Sequence, residues 1–119
     1  MSITAQRVRE LVAALADAHE GAHHGHPDFR VNNKMFATLT EAEDRAALRL
    51  TSVEARALAE RAPESFRLVS EREPVTWVSV RLASADEHEL RDLLEEAWSL
   101  RVGEKPAPRA KRTKRSTSR

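Results

Sequence analysis

The sequence predicts a single α+β domain, an antiparallel sheet of about five strands with helices packed on one face, in the order α-β-β-β-α-β-β-α. Three observations carry this expectation. Apolar residues recur at helical spacing near both ends of the folded part, at Val8, Leu11, Val12 and Leu15 and again at Leu90, Leu93, Leu94, Ala97 and Trp98. Between them, Asn32-Asn33 separates two short strand-like runs, and asparagine tolerates the positive φ of a tight hairpin turn. The strand-like runs are joined by hairpin-like connections, which make the sheet antiparallel and leave the helices to cover one face.

Each element has its own signal. Residues 4–19 read as an amphipathic helix, with Arg7, Arg9, Glu10 and Asp17 largely off the apolar stripe and Gly21 as its stop. A polar segment from Gly21 to Pro27 leads into the strand pair, where Met35, Ala37 and Leu39 share a face. Thr40–Arg45 reads as a charged turn, and Ala46–Leu50 as a third strand with weak alternation. Thr51 and Glu54 form a capping-box pattern that starts a second helix, with Val53, Ala57 and Leu58 facing inward and Pro63 ending it. Phe66–Ser70 is a strand, residues 71–74 its turn, and Val75–Leu82 the clearest strand. The alternation there sets Val78, Val80 and Leu82 on one face and Trp77, Ser79 and Arg81 on the other. Ser84 and Glu87 form a second capping box, Asp86, Glu87 and Glu89 suit the positive end of the last helix, and Gly103 closes it.

Composition narrows the class. A chain of 119 residues, 40% hydrophobic and 33% charged, supports one core and a well-solvated surface. No apolar run approaches the ~20 residues that cross a bilayer, and residues 1–7 lack the apolar segment of a signal peptide. Without cysteine there is no disulfide and no thiolate metal site. A cytoplasmic protein without a membrane partner is the economical expectation.

Charge is divided along the chain. Seven cations, among them Lys105, Arg109, Lys111, Arg112, Lys114 and Arg115, fall between residues 105 and 119 with no acid, leaving thirteen Lys and Arg against nineteen Asp and Glu before them, a net of −6. Residues 104–119 hold no large apolar side chain to offset the entropy of ordering, so the sequence divides into a folded part at 1–103 and a disordered basic tail at 104–119. Attraction to a polyanion through bulk charge would come from the tail.

Four histidines crowd together at His19, His23, His24 and His26, with Glu20 and Asp28 nearby. The residue types suit zinc, but Gly21 interrupts the helix that would align them. The reading favours a solvated loop over a metal site or a pH-sensitive contact, and no cofactor is expected. Catalytic motifs are missing as well. The chain has no Gly-rich phosphate loop, no cysteine nucleophile and no G-x-S-x-G elbow, and Glu41, Glu43 and Asp44 cluster in a turn where solvated acids are ordinary. The chain is expected not to be an enzyme.

Three segments together resemble the MmcQ/YjbR family of small bacterial proteins. They are Phe29-Arg30-Val31-Asn32-Asn33-Lys34-Met35-Phe36-Ala37, the tryptophan-bearing strand Pro74–Val80, and the closing helix Glu89–Leu100 with its E-L-x-x-L-L pattern. The resemblance spans about residues 5–103. It implies a CyaY-like (frataxin-like) α+β fold and a double-wing mode of DNA binding. Ala97-Trp98-Ser99 departs from the serine-aromatic pair common in the family's closing helix, and the basic tail lies outside the family pattern.

Against that background the candidate nucleic-acid contacts are Arg30 and Lys34 around the Asn-Asn turn, Arg72 in the later turn, and Trp77 and Arg81 on the late strand, together with the tail cations. Arg30 and Lys34 could straddle a phosphate at a hairpin tip, or could belong to an ordinary solvated hairpin. Trp77 could stack on a base or pack beneath a helix or loop. The tail would neutralise phosphates without reading sequence, or act only as a solubilising extension. The expected function is therefore a non-catalytic DNA-binding protein, weak and largely non-sequence-specific. The alternative is a small protein-interaction or ligand-binding domain with an incidental tail. Clustering of Arg30, Lys34, Arg72 and Arg81 on one face would favour DNA, and scatter among acids the alternative.

Overall fold

The computed structural model describes residues 3–23 and 26–103. Its elements are α1 (Ala5–Ala13), β1 (His19–His23), β2 (His26–Val31), β3 (Lys34–Leu39), β4 (Arg45–Thr51), α2 (Ser52–Arg61), β5 (Phe66–Leu68), β6 (Val75–Arg81), a 3-10 turn (Leu82–Ser84) and α3 (Glu87–Gly103). The six strands form one antiparallel sheet in the order β1-β2-β3-β4-β6-β5. The basic tail and His24 lie outside the described residues.

Parity along the strands divides the sheet into two faces. On β4, Ala46, Leu48 and Leu50 are buried while Arg45, Ala47 and Arg49 are not. On β6, Thr76, Val78 and Val80 alternate in the same way with Trp77, Ser79 and Arg81. The buried face carries the core, into which α1 sends Val8 and Val12, α2 Ala55 and Leu58, and α3 Leu90, Leu94 and Ala97. α3 lies across β3 and β4 and α2 across β5 and β6, so the helices cover one face as expected.

The Asn32-Asn33 turn forms as read, with φ of 55° and 64°, joining β2 and β3 at Val31 and Lys34. Register then shifts, since Phe29 pairs with Ala37 but Arg30 with Met35. Phe36 is the extra residue of this bulge, and Phe36 and Ala37 are both buried, where strict alternation would bury only one of them.

Four local readings change. α1 ends at Ala13, and the sequence to His23 turns back to add a strand at the sheet edge. Gly21 is a strand residue opposite Asp28, not a helix stop. The histidine run is accordingly not a loop: His19 and His23 bound β1, His26 opens β2, and His23 and His26 are register partners. α2 is rotated from its expected face. Ser52 is pinned beneath β6, its N–H donating to the Pro74 carbonyl at 2.8 Å and its Oγ to Glu73 Oε1 at 2.6 Å. That anchor turns Ser52, Ala55 and Leu58 inward and leaves Ala57 and Val53 exposed, the latter 74%. Thr51 caps α2 as expected, accepting the Glu54 N–H at 3.3 Å. At α3 the cap is Asp86, whose Oδ2 accepts the Glu89 N–H at 2.9 Å, while Ser84 lies in the 3-10 turn and shares a hydrogen bond with Ser65.

Candidate nucleic-acid interface

The face of the sheet opposite the helices is open. Its best-defined part lies on β4, β6 and β5. The β3–β4 turn sets where β4 begins: Thr40 Oγ1 donates to Asp44 Oδ1 at 2.7 Å and accepts the Asp44 and Arg45 N–H groups at 3.2 and 3.3 Å. Arg45 and Arg81 are then direct register partners across β4 and β6, and Arg67 of β5 pairs with Ser79 one step along. Arg45 reaches toward that step, its Nε donating to Ser79 Oγ at 2.6 Å. Desolvation, followed by the charge of Arg67, holds the Arg45 guanidinium below its ordinary pKa; Arg81 pushes the same way and Asp44 opposes. Three guanidinium groups thus share one neighbourhood, and Arg67 and Arg81 are exposed.

Trp77 lies on the same face, half-buried, with Arg49 as its β4 partner. Val69, 59% exposed, lies level with it on the β5 side, its N–H donating to the Trp77 carbonyl at 2.9 Å. Of the residues singled out from sequence, Trp77 and Arg81 therefore occupy one face as read.

The other three are placed differently. Arg30 is held in a bidentate pair with Asp28, Nε to Oδ1 at 3.0 Å and a terminal nitrogen to Oδ2 at 3.1 Å, and that hydrogen-bonded carboxylate raises its pKa. Arg30 pairs with Met35, whereas Lys34 pairs with the buried Val31, so the two cations stand on alternate faces of the hairpin and do not straddle a phosphate. The β2–β3 turn and the β5–β6 connection carrying Arg72 do lie at the same end of the sheet, like a pair of wings. Arg72 is flanked in sequence by Glu71 and Glu73, and Glu73 is ion-paired with Arg56. Arg81 closes the opposite end of β6, roughly 20 Å away at about 3.4 Å per residue. Arg30, Lys34, Arg72 and Arg81 do not form one cluster and two of them stand among acids, the outcome that by itself favours a protein-interaction or ligand-binding domain. Lys105, Arg109, Lys111, Arg112, Lys114 and Arg115 lie outside the described residues.

Sequence reasoning missed Arg45, Arg49 and Arg67. Their signal was parity, Arg45 and Arg49 flanking the buried Ala46 and Leu48, but ending the turn at Arg45 removed the strand's first residue from that pattern. Among the described residues, no group of three His, Asp or Glu side chains is placed to hold a metal ion. A different hollow, about 330 Å³, lies between α1 and β1, lined in part by Gln6, Arg9, His19, Glu20 and Phe29; Arg9 is bound there to Glu20 and Glu43. Among the described residues, no helix is long and apolar enough to cross a membrane.

An open six-stranded antiparallel sheet with three helices on one face defines the class of fold. The chain belongs to the YjbR family, whose model matches residues 13–100. It is similar to the crystal structure of a Deinococcus radiodurans protein with a DUF419 domain, with 20% identity, a TM-score of 0.74, and 84% of this chain and 79% of that chain covered. It is also similar to the crystal structure of a protein from Pseudomonas syringae, with 16% identity, a TM-score of 0.67, and 82% and 98% covered. At these identities the likeness is one of fold. No curated protein matches the chain.

Proposed function

We propose that the protein is a non-catalytic DNA-binding module, weak and largely without sequence preference, which engages DNA through the open face of its sheet and through its basic tail. The observation that supports this most directly is the gathering of Arg45, Arg67 and Arg81 on that face, close enough for the neighbours' charge to bear on the Arg45 guanidinium. Like charges held together by a fold are unfavourable on their own and become favourable once an anion lies across them. The wings contribute less than the sequence alone implied, because Arg30 is matched by Asp28 and Arg72 is set between acids. A salt-resolved titration of DNA tests the reading. Replacing Arg67 and Arg81 with glutamate should weaken binding and flatten the slope of log K against log salt by ~0.9 for each phosphate no longer neutralised. An unchanged affinity and slope would remove the sheet face from the interface.

A further inference from the structure

The open face is cationic and apolar in adjacent places. Arg45, Arg67 and Arg81 gather around Ser79, and two residues along β6 come Trp77, half-buried, and its exposed neighbour Val69. Duplex DNA would use only the first of these characters. Its phosphates are outside, but its base faces are stacked within and cannot reach an indole. Nor can this face enter a groove: six strands at ~4.8 Å spacing make a surface roughly 24 Å across, while a major groove is about 12 Å wide. A single strand offers phosphates and unstacked bases together, and aromatic side chains beside a cationic track are the usual way to hold it. We propose that the open sheet face binds single-stranded DNA, with Arg45, Arg67 and Arg81 against phosphates and Trp77, flanked by Val69, stacking on a base. The inference rests on the DNA-binding reading above and narrows it to one form of DNA.

Indole emission gives a local readout that the tail cannot mimic. The full-length protein is titrated at low salt with an oligothymidine of about 16 nucleotides, the upper end of single-domain site sizes, and with the same strand annealed to its complement. The single strand should bind more tightly and quench part of the emission. The quench should vanish in Trp77→Leu, which retains Trp98, and the affinity of that variant for the single strand should fall about tenfold, as loss of one stacked base implies. Should Trp77→Leu fail to fold, the exposed pair Arg67→Glu and Arg81→Glu should reduce the quench at matched oligothymidine concentration. Duplex bound as tightly as the single strand, with Trp77 emission unmoved by either, would overturn the inference and leave the DNA-binding reading standing. Failure of the full-length protein to bind either form would overturn both.

Discussion

Gly21 and Asp28 are register partners on β1 and β2, and a Cβ on Gly21 would stand 2.9 Å from Asp28 Oδ1. That oxygen has little room to yield, because Asp28 is fully buried and both its oxygens accept from Arg30. The bare glycine is what lets the ion pair lie flat on the sheet. Gly21→Ala should cost about 1–3 kcal/mol through overpacking, and much less in an Asp28→Ala background. Urea unfolding of the two single variants and the double variant measures the coupling. Strict additivity would mean that the methyl and the carboxylate do not compete.

The closing helix should depend on Leu94. It is 1% exposed and sits in the core among residues from all three helices. Leu94→Ala should lower stability by about 2–5 kcal/mol, and a loss below about half a kcal/mol would contradict the packing. Trp98 anchors the helix differently, being partly buried with its indole N–H donating to the Ala16 carbonyl at 2.9 Å. Trp98→Phe should therefore loosen the α1–β1 connection, seen as faster amide exchange at residues 14–18.

Glu54 should weaken the fold at neutral pH. Burial first, and then the charge of Glu96, push its carboxyl above the ordinary range. A carboxyl with a raised folded pKa costs stability when ionised, and that cost disappears as pH falls through the raised value. Glu54→Gln, which leaves in place the backbone N–H that Thr51 accepts, should raise the melting temperature at pH 7, with the gain vanishing in acid. An equal gain at both pH values would point away from ionisation.

Glu87 and Glu43 should act in the opposite direction. Hydrogen bonds from Arg7 and Arg9 respectively hold these carboxyls below their ordinary range, tying α1 to α3 and to the β3–β4 turn. Their contribution is present above the unfolded carboxylate pKa and is lost as pH falls through the depressed folded values. Glu43→Gln and Glu87→Gln should therefore flatten the acid side of the stability profile, followed by thermal melts between about pH 2 and 6. An acid limb as steep as in the parent would show that other carboxylates govern it.

The tail should supply most of the salt-sensitive duplex affinity. Residues 1–104 carry a net −6 and residues 105–119 a net +7. If the tail engages about four phosphates, log K should fall against log salt with a slope of roughly −3.6. Shortening the chain to Gly103 should remove most of that slope, and the residual binding should fall further with Arg67→Glu than with Lys34→Glu. Equal tightness and slope for both lengths would show that the tail does not engage the phosphates.

What the sequence made legible was local. Thr51 as the cap of α2, the Asn32-Asn33 pair and the stripe from Leu90 to Ala97 declare themselves within a turn or two, and the structure uses them as read. β1 could not be read this way. His19-Glu20-Gly21-Ala22-His23 has little strand propensity, and its conformation comes from pairing with β2. Parity could have placed Arg45 on the open face, but its company there could not be read locally, since Arg45 meets Arg81 only through pairing across 36 positions of chain and Arg67 joins them only through β6. Arg30 is a different case. Asp28 stood two positions away on the same strand face, so its neutralisation was visible to a closer reading of strand parity.

The alternation along β4 and β6 separates two kinds of selection. Even-numbered positions, from Ala46 to Leu50 and from Thr76 to Val80, are buried and answer to stability. Odd-numbered positions, from Arg45 to Arg49 and from Val75 to Arg81, line the other face, Arg81 exposed and the rest partly covered by one another. A lineage could therefore rewrite what this surface touches by changing neighbouring odd residues together, while the core on the far side kept its own packing.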